Sequence, residues 1–216
     1  MSGYVPLNER PQGGHARLLA LALADGPGRV LDVGCSSGYL ARPLVDAGAR
    51  VVGVELDPAA AEQARSVCEE VVVGDVESLD LPLEPASFDV VLCGDVVEHL
   101  RDPGAALARL RPLLRPGGRL VLTTPNVANW AMRLSLLAGR WRYTERGILD
   151  RTHTHLFTRK TLVETVTDAG YRVVELDHTS PVPLVGTPRM ERVAHAVASL
   201  RPSLFAYQLL LAATPR

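Results

Sequence analysis

The sequence predicts a doubly wound α/β fold, in which a mostly parallel sheet carries helices on both faces. Apolar runs of four to six residues alternate with helical patterns, and this alternation is typical of βαβ units. Pro58 and Pro103 each stand where a helix is expected to begin, a position that suits proline. We expect residues 1–216 to form a single domain. Right-handed crossovers would place the carboxyl ends of the parallel strands along one edge of the sheet.

The individual elements follow from the periodicity of the apolar residues. Five strands are expected at Arg29 to Val33, Arg50 to Val54, Val71 to Val73, Phe88 to Cys93 and Arg119 to Thr123. Helices are expected at His15 to Ala24, Gly38 to Ala47, Pro58 to Glu69, Pro103 to Leu114 and Lys160 to Gly170. Two later strands, YRVVELDH and LFAYQLLLAA, would complete the sheet.

The composition argues against several functional classes. Apolar residues make up 47% of the chain and the formal net charge is −1, so neither disorder nor a nucleic-acid partner is indicated. The three cysteines are widely separated, which fits neither a disulfide framework nor a zinc-binding spacing. The first residues lack the pattern of a signal peptide, and no apolar run approaches the roughly 18 residues of a membrane span. We therefore expect a soluble, cytoplasmic protein.

The segment VLDVGCSSGYL reads as a strand that ends in a tight turn and opens a helix. Such a turn directs backbone N–H groups at a ligand, and Glu55, 21 residues beyond Gly34, can accept both ribose hydroxyls of a nucleoside. A dinucleotide site requires G-x-G-x-x-G, but the corresponding residues here are Gly34, Ser36 and Tyr39. A phosphate-binding G-x-x-x-x-G-K-[ST] loop is also absent, since Lys160 is the only lysine. The pattern predicts a nucleoside cofactor without a pyrophosphate contact.

This segment resembles motif I of the class I S-adenosylmethionine-dependent methyltransferases, in which an acid precedes G-x-G-x-G. The sequence DVGCSSG departs from that motif at Ser36, where the family commonly has glycine. Three later segments match the family in order and spacing: VVVGDVESL with Asp75, FDVVLCGDVVEHL and LLRPGGRLVLTTPN. The resemblance implies S-adenosyl-L-methionine as cofactor and S-adenosyl-L-homocysteine as product. It also implies a seven-stranded Rossmann-like sheet with an antiparallel last strand.

The same resemblance implies which residues hold the cofactor. Glu55 would bind the ribose, Asp75 would lie near the adenine amino group, and Val76 would contact the adenine ring. Asp95 would orient either the cofactor or the acceptor. The complete expected set is Asp32, Gly34, Cys35, Ser36, Gly38, Tyr39, Glu55, Leu56, Asp75, Val76, Cys93, Gly94 and Asp95.

Two segments are expected to cover the site. Residues 1–14 would form an N-terminal lid, and residues 127–157 would form an insertion after the fifth strand that caps the acceptor. The insertion contains both tryptophans and the pattern Asp-x-x-His-x-His, which resembles MetW-like methyltransferases. A helical hairpin that only packs against the sheet edge is the alternative, because buried tryptophans are usually packing residues.

A base for the acceptor must project from the carboxyl edge of the strands, and three histidines meet that condition. They are His99, after the fourth strand, and His153 and His155 in the insertion. His99 has an alternative role as a helix-start residue of the family's Glu-His-Leu triplet. His153 and His155 would point to one face of an extended segment, with Asp150 as a further donor, yet no fourth ligand is visible and no metal is predicted.

Two functions remain open from the sequence. The first is methyl transfer to a small-molecule acceptor, on an oxygen of a sugar or secondary-metabolite intermediate. The second is a regulatory or partner protein of MetW type that binds S-adenosylmethionine without transferring the methyl group. His15, His178 and His195 are expected at surface positions, outside either function.

Overall fold

The computed structural model describes residues 13–26, 28–78, 81–180 and 188–216. The seven strands of its sheet are β1 Arg29–Val33, β2 Arg50–Glu55, β3 Glu70–Val73, β4 Phe88–Gly94, β5 Leu114–Pro125, β6 Tyr171–His178 and β7 Gln208–Pro215. They lie in the order β3-β2-β1-β4-β5-β7-β6. The first five strands are parallel, and β7 runs antiparallel to both of its neighbours. The predicted sheet is confirmed, including its antiparallel last strand.

Helices cover both faces of the sheet. They are α1 Gly14–Ala22, α2 Ala41–Asp46, α3 Pro58–Ala64, α4 Pro103–Leu110, α5 Trp130–Leu137, α6 Arg159–Asp168, α7 Pro188–Leu200 and α8 Pro202–Phe205. Two prolines occupy first turns as predicted, and the preceding aspartates accept hydrogen bonds from the first-turn N–H groups of α3 and α4. Among the described residues, no helix is long and apolar enough to cross a membrane.

Side chains alternate between the two faces of the central strands, and this alternation builds two apolar clusters. Leu31 and Val33 pack on one face with residues of α4 and α6, such as Leu107 and Leu162. Val30 packs on the opposite face with residues of α1, α2 and α3. A parallel sheet that is buried on both faces accounts for the continuous apolar runs in the sequence.

Several predicted boundaries are wrong by a few residues. α2 begins at Ala41, later than predicted, because Gly38 has φ +82° and cannot belong to a right-handed helix. β5 extends back to Leu114 through the Pro-Gly-Gly segment, whereas the sequence predicts that the helix ends at Leu114 and that the strand begins at Arg119. Gly118 allows this close pairing, since a Cβ there would lie 2.9 Å from the Phe88 carbonyl oxygen. α7 was not predicted.

Candidate active site

The carboxyl ends of β1 to β5 lie along one edge of the sheet, as the crossover rule requires. The amino end of the antiparallel β7 reaches the same edge, where Gln208 is paired with Pro125. The loops after these strands therefore surround one site. The site contains the segments that sequence analysis assigned to the cofactor.

The loop from β1 to α2 has a backbone that favours glycine at three positions. Gly34, Ser36 and Gly38 have φ values of +70°, +50° and +82°. A side chain at Gly34 would meet Val96 at 2.7 Å, so this glycine also permits close packing. Ser36 adopts the left-handed conformation that glycine would supply in the usual motif. The departure at Ser36 thus leaves the loop conformation intact, at a cost in backbone strain.

The carboxylate of Glu55 is fixed at the end of β2 by two backbone donors. The N–H of Ser36 donates to Oε2 at 2.8 Å, and the N–H of Asp57 donates to Oε1 at 2.9 Å. Leu56, the next residue, has 67% of its surface exposed at this edge. An apolar side chain exposed beside a fixed carboxylate suits a flat nucleoside with one polar and one apolar part.

Three predicted cofactor residues turn their side chains away from the edge. Asp32 is buried below the loop, and neither carboxylate oxygen has a hydrogen-bond partner among the described residues. Desolvation raises the pKa of Asp32 well above its usual value, and the Cys68 and Glu55 charges add to the rise. Cys35 and Cys93 are 1% exposed and belong to the two apolar clusters. Only backbone atoms of these two cysteines are available to a cofactor.

Asp75 lies at the end of β3 in a turn that it stabilises. Its carboxylate accepts from the N–H of Glu77 at 2.9 Å and from the Arg101 guanidinium at 2.8 Å. Val76 packs in the core, and it was expected to contact the adenine ring. Both residues are next to the strand edge, and their roles toward a cofactor stay predictions.

Asp95, directly after β4, is held by side chains from two other strands. The Thr123 hydroxyl donates to Oδ1 at 3.0 Å, and Nε2 of Gln208 lies 2.9 Å from each carboxylate oxygen. The backbone of Asp95 has φ +53°, which is an unusual value for aspartate. Nothing in the sequence pattern signals Gln208, which reaches the site only because β7 is antiparallel.

The turn after β4 joins the insertion through several hydrogen bonds. The N–H groups of Thr154 and His155 donate to the Glu98 carbonyl at 2.8 and 3.0 Å. Nδ1 of His99 lies 3.2 Å from the Thr152 carbonyl oxygen. His99 and His153 are thereby brought together, with ring centroids 4.8 Å apart. Partial desolvation lowers the pKa of His99, so its ring is neutral at pH 7.

His155 is not part of this pair. Nδ1 of His155 lies 2.9 Å from the Leu100 carbonyl oxygen, and the ring stacks on Phe157. Nδ1 of His153 instead lies 3.1 Å from the Ile148 carbonyl oxygen. The prediction that both histidines share a face is wrong, because the chain bends at Thr154 and the segment is not extended.

The insertion contains a helix, α5, and encloses a cavity of about 560 Å³, within the usual range for small-molecule sites. Ile148 and Tyr207 line the cavity on the side of His153. Three arginines, Arg140, Arg142 and Arg146, also line it, and among the described residues none of the three is ion-paired. Trp130 and Trp141 are 37% and 38% exposed, so neither serves only as a core residue. The predicted N-terminal lid lies almost wholly outside the described residues.

Two histidines expected at the surface are buried. His15 is 8% exposed and contacts Tyr39, and His178 is 9% exposed and stacks on His195. His15 is near the Asp95 carboxylate, which acts to raise its pKa against the larger effect of desolvation. No local pattern signals the burial of His15, because it depends on the packing of α1 against β4, β5 and β7.

Comparison with known families agrees with this geometry. The family described as "Methyltransferase domain" matches residues 7–176. The chain belongs to this family. Its sheet order and family membership identify it as a class I S-adenosylmethionine-dependent methyltransferase, and they confirm the predicted cofactor. The narrower MetW-like resemblance stays a prediction.

Relatives and solved structures of methyltransferases resemble the chain at different levels. The ubiquinone biosynthesis O-methyltransferase of Cereibacter sphaeroides is 35% identical over 128 residues, which cover 56% of this chain and 52% of the relative. The chain thus spans about half the length of the curated relatives it matches first. An S-adenosylmethionine-dependent methyltransferase from Mesorhizobium loti shares the fold, with a TM-score of 0.66 and 19% identity over 94% of this chain and 98% of the other.

A structure with ligands shares the methyltransferase fold as well. It is the 1,6-didemethyltoxoflavin-N1-methyltransferase of Burkholderia thailandensis with bound 1,6-didemethyltoxoflavin and S-adenosylhomocysteine. The TM-score is 0.62 and the identity 20%, and the match covers 94% of this chain and 79% of the other.

Proposed function

We propose that this methyltransferase transfers the methyl group of S-adenosylmethionine to an oxygen of a small molecule held beneath the insertion. The observation that carries the proposal is the meeting of two features at one sheet edge. Two backbone N–H groups fix the carboxylate of Glu55 at the end of β2, and Tyr207, which directly precedes Gln208 of β7, lines the cavity under the insertion. Transfer to oxygen is also supported by the relatives that are named O-methyltransferases, such as that of Cereibacter sphaeroides.

The proposed cofactor contacts follow from the groups that remain available. Each oxygen of Glu55 has one backbone donor and keeps lone pairs for a ribose hydroxyl. Leu56 would pack against the adenine ring, and Asp75 would lie at its amino group. Most backbone N–H groups of the loop at Gly34 to Gly38 already donate within the protein, which leaves the N–H of Ser37 to face the methionine part. The methyl group would then lie toward Asp95 and the cavity.

The reaction needs positioning and a deprotonated acceptor. The acceptor oxygen forms a bond to the methyl carbon while the carbon–sulfur bond breaks, and the electron pair of that bond stays on sulfur as S-adenosylhomocysteine leaves. The acceptor proton would pass to Nε2 of His99 or of His153, and His153 is linked to the cavity through the carbonyl oxygen of Ile148. A well-placed base alone can increase the reaction rate by about 10²- to 10⁴-fold. Positioning of the two reactants increases the rate further.

The cavity favours an acceptor that carries negative charge. Arg140, Arg142 and Arg146 present guanidinium groups without a described carboxylate partner, and such groups bind phosphate or carboxylate well. A sugar phosphate or an anionic secondary-metabolite intermediate would fit this wall. The charge distribution offers no comparable reason for a nucleic-acid acceptor, since the net charge is −1.

The test is S-adenosylhomocysteine formation with matched neutral and anionic acceptors. We expect turnover with anionic acceptors, and Arg142→Ala should raise their KM about tenfold while changing kcat less. Arg172→Ala, an exposed arginine on β6, is the matched control. Binding of S-adenosylmethionine without product from any acceptor would instead favour the regulatory protein of MetW type.

A further inference from the structure

One cluster of side chains at the end of β4 contains the donors of a metal site. Glu98, His99 and His153 each offer one ligand atom, and these three atoms all lie within 4.8 Å of one another. Donors around a tetrahedral Zn²⁺ are about 3.4 Å apart, given bond lengths of about 2.1 Å. Small rotations of the side chains would therefore close the cluster around a cation.

The hydrogen bonds of the two rings indicate which nitrogen is free. Nδ1 of His99 lies 3.2 Å from the Thr152 carbonyl oxygen, and Nδ1 of His153 lies 3.1 Å from the Ile148 carbonyl oxygen. A carbonyl oxygen can only accept, so Nδ1 carries the proton in both rings and Nε2 keeps its lone pair. Metal-binding histidines are usually oriented by this kind of bond to a backbone carbonyl.

The third donor is a buried carboxylate whose partner is missing. Glu98 is 1% exposed, and both its oxygens lack a hydrogen-bond partner among the described residues. The buried Thr124 hydroxyl is close enough to act against desolvation, but desolvation has the larger effect and raises the pKa of Glu98 well above its usual value. Buried polar groups are nearly always satisfied, because leaving a buried charged group unpaired is costly. A cation between Glu98 and the two rings would supply that partner.

We propose that Glu98, His99 and His153 bind a divalent transition-metal cation of the Zn²⁺ type. Two imidazole nitrogens and one carboxylate oxygen suit such cations, whereas Mg²⁺ and Ca²⁺ prefer oxygen donors. Three protein donors leave a coordination position open, as in catalytic metal sites. The sequence predicts no metal, since no fourth ligand is visible beside His153, His155 and Asp150. The fold instead brings Glu98 and His99 next to His153.

The open position gives the cation a role that rests on the proposed function. Ile148 connects the two sites, because its carbonyl oxygen lies 3.1 Å from Nδ1 of His153 and the residue also lines the acceptor cavity. The cation would lower the pKa of an acceptor hydroxyl bound to it, so that solvent water takes the proton before the methyl group is transferred. In this arrangement His99 and His153 act as ligands, and the cation takes over the activation that a base would otherwise provide.

The first measurement is Zn²⁺ binding by the protein after dialysis against a chelator, with no acceptor present. We expect one Zn²⁺ per chain by calorimetry and much weaker binding of Mg²⁺. Glu98→Gln and His153→Ala should each weaken Zn²⁺ affinity by about 100-fold or more, since each removes one of three donors. His195→Ala, which removes a histidine from α7, should leave the affinity unchanged.

A second measurement on the same variants distinguishes loss of the metal ligand from loss of the fold. His153 is on the insertion and only partly buried, so His153→Ala should keep the thermal stability and the affinity for S-adenosylhomocysteine. Failure of the wild-type protein to bind Zn²⁺ would overturn the proposal, as would wild-type affinity in both variants. Either result leaves the methyl-transfer proposal standing, with the histidines as bases.

Discussion

The backbone N–H of Ser36 donates a 2.8 Å hydrogen bond to Oε2 of Glu55, which connects the loop after β1 to the end of β2. A second backbone donor at Asp57 fixes the other oxygen. The carboxylate is therefore held in position before any ribose arrives, and a pre-oriented acceptor loses little conformational freedom on binding. Both partners lie in segments that the family resemblance assigned to the cofactor.

Replacing Glu55 should weaken cofactor binding without unfolding the protein. We expect Glu55→Ala to reduce S-adenosylhomocysteine affinity by roughly ten- to a hundredfold, because hydrogen bonds to a charged acceptor contribute about 1.5 to 3 kcal/mol. Calorimetry measures the change, and Glu70→Ala at the exposed start of β3 is the control. An unchanged dissociation constant in folded Glu55→Ala would show that this acid does not bind the ribose.

The strained backbone of Ser36 gives a stability prediction. Ser36→Gly should increase the free energy of unfolding by about 1 kcal/mol, since glycine adopts φ +50° without the penalty of a Cβ. The next residue, Ser37, does not have a positive φ. Ser37→Gly should therefore lower the free energy of unfolding by about 0.5 to 1 kcal/mol. Urea denaturation of both variants tests the contrast. Destabilisation by Ser36→Gly would show that its side chain, rather than its conformation, matters.

Asp32 should impose a pH dependence on stability. Burial raises its pKa in the folded state, so between the unfolded pKa near 3.8 and the higher folded pKa only the folded protein keeps the proton. Protonated Asp32 therefore adds to the free energy of unfolding at low pH, and this contribution is lost as the pH rises through that window. Asp32→Asn should remove this pH dependence and increase the free energy of unfolding by about 1 to 3 kcal/mol at pH 7. The free energy of unfolding is measured against pH for the wild-type protein and for Asp32→Asn. The same pH dependence in both would contradict a raised pKa of Asp32.

The fold could be predicted because local and global signals agree. The alternation of apolar runs and helical patterns determines a parallel sheet, and the right-handed crossover determines which edge carries the site. The errors occur where tertiary contacts override local pattern. α2 begins late because the loop uses Gly38 at φ +82°, and β5 is long because Gly118 lets it pair closely with β4.

The site could be predicted only where its residues follow strand ends. Glu55, Asp75 and Asp95 were predicted in this way, and their roles toward a cofactor stay predictions. Glu98 and His153 are 55 positions apart, and they meet through hydrogen bonds between the turn after β4 and the insertion, which no local pattern encodes. Gln208 reaches Asp95 only through strand order.

The most direct test of the account is a calorimetric comparison of S-adenosylhomocysteine, S-adenosylmethionine, NAD and ATP with the wild-type protein. Glu55 suits an unphosphorylated ribose, and the loop at Gly34, Ser36 and Tyr39 lacks the glycines that a pyrophosphate requires. The account predicts binding of the two S-adenosyl compounds and none of NAD or ATP. Tighter binding of NAD than of S-adenosylhomocysteine would contradict it.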